Sequence, residues 1–68
     1  MKQFKVNDRI VHEYLGDGTI IEIIKDFYNS KRASFYILLV DIAPDLRYNG
    51  GSRECLVLPN QIIKKELL

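Results

Sequence analysis

The stretch Arg9-Ile10-Val11-His12-Glu13-Tyr14-Leu15-Gly16-Asp17-Gly18-Thr19-Ile20-Ile21-Glu22-Ile23-Ile24 decides the fold. Its first half mixes Ile10, Val11, Tyr14 and Leu15 with Arg9, His12 and Glu13 behind an Asn7-Asp8 turn-former, and reads as a strand over 9–15. Leu15-Gly16-Asp17-Gly18 tolerates positive φ and suits a tight reversal. Residues 19–27 then read as a second strand. Glu22 wants water, so alternation puts Thr19, Ile21 and Ile23 on the opposite face and Ile20 and Ile24 beside it. Both faces thus carry isoleucine, which fits a strongly bent strand of a small barrel better than a flat sheet with one wet side.

Downstream, residues 28–34 are polar and basic and read as a connection between antiparallel neighbours. The apolar run Phe35 to Val40 is too short for most helices and predicts a central strand over 35–41, buried on both sides. Pro44, Asp45 and Asn49-Gly50-Gly51 mark 42–53 as a long loop with a turn at its tip. A fourth strand is expected over 54–58, a short turn with 3₁₀ character at Pro59-Asn60-Gln61, and a fifth strand or short terminal helix over 62–66, the helical alternative reaching 68. The sum is an all-β, five-stranded antiparallel barrel occupying residues 1–68 as one domain.

Composition agrees. Nine Ile, four Val, three Phe and four Tyr outweigh two Ala and eight Leu, a bias toward residues that suit a pleated surface. Sixty-eight residues allow a thin core and make a deep catalytic cleft improbable. A net charge of +1 provides no overall field toward nucleic acid or an anionic membrane, so such binding would need a local patch. One cysteine, Cys55, and one histidine, His12, exclude an intramolecular disulfide and a Cys/His zinc site within one chain. No apolar run approaches the roughly 20 residues of a membrane helix, and no signal-peptide segment follows the first residues, so a cytoplasmic location is expected.

The order Phe4-Lys5-Val6-Asn7-Asp8-Arg9-Ile10-Val11-His12, then Leu15-Gly16-Asp17-Gly18-Thr19-Ile20-Ile21-Glu22-Ile23, resembles the opening of SH3-like β-barrels of the KOW/Tudor kind. Within that kind it resembles the RNA-polymerase-interacting domains of CarD-type regulators and of the transcription-repair coupling factor, and the Tudor-like C-terminal domain of UvrD-like helicases. Asn7 stands where that pattern has Gly, and Val57-Leu58-Pro59-Asn60-Gln61-Ile62-Ile63 is similar to the Pro-led turn before the last strand of such barrels. About twenty residues carry the specific part. The resemblance implies a non-catalytic binding module that touches RNA polymerase, a helicase or repair partner, or nucleic acid, with edge-strand pairing as one mode of contact.

For chemistry, His12 and Cys55 are the only soft ligands or nucleophile-and-base candidates, and both read more naturally as structural residues. The pairs Asp17/Glu22 and Asp8/Glu13 read as solvated carboxylates, and the glycine turn lacks the Gly-Lys-Ser/Thr ending and following helix of a phosphate loop. No catalytic residue, metal or cofactor is expected. The stronger signal is aromatic and basic residues together in loops: Phe27, Tyr28, Lys31 and Arg32 in one, Arg47, Tyr48 and Arg53 in the other. Tyr and Arg suit protein hot spots and also stack on nucleobases while meeting phosphates. Three readings stand open: a protein adaptor in transcription or DNA repair, a nucleic-acid binder, and a small phage or mobile-element inhibitor or ligand-sequestering protein, the last as a homodimer burying Ile20, Ile24 or Leu67-Leu68.

Overall fold

The computed structural model describes residues 4–25, 28 and 33–65. These form five strands: β1 (Arg9–His12), β2 (Gly16–Lys25), β3 (Ala33–Val40), β4 (Glu54–Val57) and β5 (Ile62–Lys65). Single 3₁₀ turns lie at Asn49–Gly51 and Pro59–Gln61. The strands make one antiparallel sheet in the order β4-β3-β2-β1-β5. Residues 62–65 pair with β1, so strand rather than helix is the outcome there.

The reversal between β1 and β2 falls on residues 13–15, earlier than the glycine pair. Gly16 leaves it at φ 77, while Gly18 turns nothing. Gly18 is buried opposite Ile10 and Val40, and a Cβ there would lie 2.8 Å from a Leu38 methyl and 2.9 Å from the Leu39 carbonyl oxygen. One glycine serves the turn and the other lets β2 approach β3. Asn7 has φ 77, a conformation that Asn adopts more readily than other non-glycine residues. Its N–H donates to the Ile20 carbonyl, and the Lys5 N–H donates to the Asp8 carboxylate at 2.9 Å, so this turn is tied to β2 and to itself.

The two isoleucine faces of β2 have a specific cause. Ile20 pairs with Leu38 but Glu22 pairs with Ile37, leaving Ile21 as an extra residue in a β-bulge. The bulge inverts the alternation, so Ile20 and Ile23 both point to the core while Glu22 and Ile24 face outward. Plain alternation assigned Ile20 and Ile24 to one face, and the bulge corrects it. A second irregularity follows between Ile24 and Lys25.

The core is one cluster of Phe4, Ile10, Ile20, Tyr36, Leu38, Val40, Cys55, Val57 and Ile62, with Leu15 and Ile23 packed against it. Phe4 meets Tyr36 edge-on at 5.6 Å between ring centres, and its N–H donates to the tyrosine hydroxyl. Cys55 and Val57 come from one margin of the sheet and Ile62 from the other, joined only through Leu58 and one 3₁₀ turn. Five flat strands would set those margins ~19 Å apart, so so short a link requires the sheet to curl. It curls without closing: among the described residues no ladder joins β4 to β5, and the closed cylinder expected from the sequence is instead an open five-stranded sheet.

β3 lies between two strands, as expected, but its faces differ. Tyr36, Leu38 and Val40 are fully buried, whereas Phe35, Ile37 and Leu39 are half-buried. The expectation of burial on both sides therefore holds for one face.

Candidate interaction surface

The two aromatic-basic clusters fare differently. Tyr28 is 93% exposed; Lys31, Arg32 and Phe27 lie outside the described residues. In the second connection, Asp45 builds the local turn, its carboxylate accepting the Arg47 N–H at 2.8 Å and its carbonyl the Tyr48 N–H. Arg47 and Tyr48 stay on the surface, beside Ile42 and Leu46, each about 80% exposed. Arg53 is exposed with them and also braces the sheet. Its Nε donates to the Val40 carbonyl at 2.8 Å and its own carbonyl accepts the Val40 N–H, pinning β3 to the start of β4.

This loop is anchored from beneath. The Arg9 guanidinium grips both carboxylate oxygens of Asp41, at 2.7 and 2.5 Å, and also donates to Thr19 at 3.0 Å. That bidentate bond holds the Asp41 carboxyl below the usual aspartate range. Asp8 is likewise lowered, first by the Lys5 N–H and then by Lys65, whose Nζ stands 3.3 Å away. The Asp41 N–H donates to the Asp17 carbonyl, so the loop begins against the β1–β2 hairpin. A recess of about 150 Å³ lies there between Leu15, Gly16, Asp17, Asp41 and Ile42. It is smaller than the roughly 300 Å³ at which small-molecule sites begin.

His12 and Cys55, the residues with reactive side chains, are both buried and share no hydrogen-bond partner. His12 Nδ1 accepts the N–H groups of Tyr14 and Leu15, and Nε2 faces Gln61 Oε1 at 3.4 Å. Cys55 Sγ lies against the Ser52 carbonyl and the Asn49 amide. Among the described residues no three His, Cys, Asp or Glu side chains gather as metal ligands, and no helix is long and apolar enough to cross a membrane.

Two features of the surface go beyond the sequence reading. The first is the condition of the β4 edge. The hydrogen-bonded pairing of Val40 with Arg53 sets the alternation, so Glu54, Leu56 and Leu58 direct their main-chain groups away from β3. The Glu54 N–H donates to Ser52 Oγ and its carbonyl accepts from Asn49 Nδ2 at 2.7 Å. The Leu58 N–H donates to Gln61 Oε1 and its carbonyl accepts the Gln61 N–H. Among the described residues of this edge, only Leu56 keeps an open N–H and C=O. Such covering by neighbouring polar groups guards an edge against unwanted strand addition. The second feature is that the outward side of the sheet is apolar, with Ile24, Leu56 and Leu58 between 37% and 53% exposed.

Comparison with known proteins adds no relative: no family model matches the chain, and no curated protein or solved structure matches it significantly.

Proposed function

We propose that this chain is a non-catalytic protein-binding module of the SH3-like kind, a cytoplasmic adaptor that contacts transcription or DNA-repair machinery such as RNA polymerase or a helicase. The observation that carries the binding reading is the concentration of exposed apolar and aromatic side chains, Ile42, Leu46 and Tyr48, in one loop tethered through Asp41 to Arg9. Large apolar groups held on an ordered loop lose little freedom on docking and exclude water from a partner. The SH3-like assignment is supported by the strand order β4-β3-β2-β1-β5, the bulged second strand and the Pro-led 3₁₀ turn that returns the chain to β1. It is also supported by Asn7, whose positive φ accounts for a glycine-tolerant position in that pattern.

The contact surface comprises Arg47 and Tyr48 with the 28–32 connection, including Tyr28, Lys31 and Arg32. Arg53 acts by holding β3 and β4 together. Edge pairing at β4 is limited to Leu56. The test is affinity capture of the tagged chain from its native host, with protein, nucleic acid and small-molecule contents all identified. Recovery of polymerase subunits, a helicase or a repair factor, reduced by Tyr48→Ala, is expected; recovery of nucleic acid alone in a salt-sensitive manner would replace the adaptor reading with the nucleic-acid one.

A further inference from the structure

We propose that the outward face of β2, β3 and β4 docks an amphipathic helix of a partner protein, apolar along one stripe and carrying Lys or Arg on both sides of that stripe. This rests on reading the chain as a protein-binding module, and is independent of which machinery the partner belongs to.

The inward face of the sheet is spent on the core, and the outward face remains. Across it, Ile24 pairs with Phe35 and Ile37 with Leu56, Leu39 occupies the next row of β3, and Leu58 continues the line of β4 beside Phe35. Phe35, Ile37 and Leu39 form the half-buried centre, and Ile24, Leu56 and Leu58 are exposed to 37%, 53% and 41% around them. A contiguous apolar patch on a chain this small marks an interaction site.

Charge then selects the occupant. Glu22 ends the Ile37–Leu56 row on the β2 side, and Glu54 ends the Leu39 row on the β4 side. Both are exposed, and neither carboxylate makes an ion pair or a side-chain hydrogen bond. Glu22 and Glu54 lie on the strands either side of β3 and two residues apart along it, so the two carboxylates flank β3 diagonally. A helix laid along β3 rests its apolar stripe on the six side chains and brings its two flanks over Glu22 and Glu54. Basic residues there gain both carboxylates; acidic ones meet repulsion. A partner strand is the poorer occupant, because the β4 edge beside the patch is already covered at Glu54 and Leu58. A second copy is poorer too. It would set like-charged carboxylates around the interface.

Two synthetic helical peptides of about five turns test this, one with a leucine stripe flanked by lysines, the other identical but flanked by glutamates. Each is titrated at low salt into the isotope-labelled chain while the backbone amide resonances are followed. The lysine peptide is expected to shift Ile24, Ile37 and Leu56 and to gain helicity, and the glutamate peptide to do neither. Glu22→Lys and Glu54→Lys should each weaken the lysine peptide roughly two- to fivefold, and Leu56→Ser further, with thermal unfolding of these surface variants close to that of the parent. No shifts, equal shifts with both peptides, or shifts confined to 42–48 would overturn the proposal. If the lysine peptide binds as described while capture yields no transcription or repair protein, the assignment of machinery fails and the docking face stands. The reverse pair of results would retain the adaptor and dismiss this face.

Discussion

At His12 a single buried ring holds three groups from two parts of the chain. Nδ1 accepts two N–H donors, from Tyr14 and Leu15, each at 3.1 Å, which requires the tautomer with its proton on Nε2, facing Gln61 Oε1. The same Oε1 accepts the Leu58 N–H, so the hairpin turn and the turn before β5 are linked through one imidazole and one amide. Removing the ring with His12→Ala should cost about 2 kcal/mol in urea unfolding, from lost packing and unpaired donors. His12→Asn, whose Oδ1 takes the place of Nδ1, should restore about half of that; an equal loss in both would show that the acceptor is irrelevant. The two glycines of the hairpin make a second comparison. Gly18→Ala presses a methyl into the Leu39 carbonyl and Leu38 and should cost about 1–3 kcal/mol. Gly16→Ala meets nothing within 4 Å and pays only for its φ of 77, about 1 kcal/mol. From sequence these glycines look alike, since composition reveals permissive backbone but not close approach. The burial of Cys55 was legible, because a lone cysteine among apolar strand residues packs as a small hydrophobe.

β2 shows what periodicity resolves and what it misses. Ile20 and Ile23 are three apart, a spacing that an unbroken strand cannot keep on one face, and the extra residue at Ile21 reconciles them. Ile23→Lys should therefore destabilise by about 2 kcal/mol, because it puts a charge against the core, while Ile24→Lys should change stability by less than about 0.5 kcal/mol. Uninterrupted alternation predicts the larger loss at Ile24, so the two denaturation midpoints decide between them. Isoleucine on both faces signalled a bent strand, yet nothing in the order of residues says which one is extra. Four strands and the 3₁₀ turn at Pro59–Gln61 could be read from apolar runs and turn formers, while the last segment stood open between strand and helix because four residues are too few to fix a period. That Phe35, Ile37 and Leu39 would be only half-buried could not, because an apolar run looks the same whether its second face meets a core or awaits a partner.

For the molecule as a whole, ion pairs join parts distant in sequence: Arg9 to Asp41, and Asp8 to Lys65. Both aspartates are lowered in the folded state, Asp8 chiefly by the Lys5 N–H and Asp41 by Arg9. A lowered folded value means that their contribution is complete above the ordinary aspartate range near pH 4, and is lost as pH falls through the depressed values. Thermal unfolding followed between about pH 5 and 2 should show this loss, and Asp8→Asn should flatten it; an unchanged acid slope in the variant would assign the effect to other carboxylates. The surface position of Arg47 and Tyr48 was readable because polar loops with aromatic residues face solvent. Arg53 is exposed as well, and its bond to the Val40 carbonyl is a tie that no local pattern announces. The covered β4 edge depends on pairing between strands remote in sequence, so no local pattern announced it. Isoleucine on both faces of β2 did point to an apolar outer side, without showing how β3 and β4 complete it.

The inward Ile23, the outward Ile24 and the flanking Glu22 all follow from Ile21 being the unpaired residue of β2. Nuclear Overhauser contacts between the β2 and β3 backbones measure that directly. The account predicts contacts of Ile20 with Leu38, Glu22 with Ile37 and Ile23 with Tyr36; contacts of Ile21 with Ile37 and Glu22 with Tyr36 would contradict it.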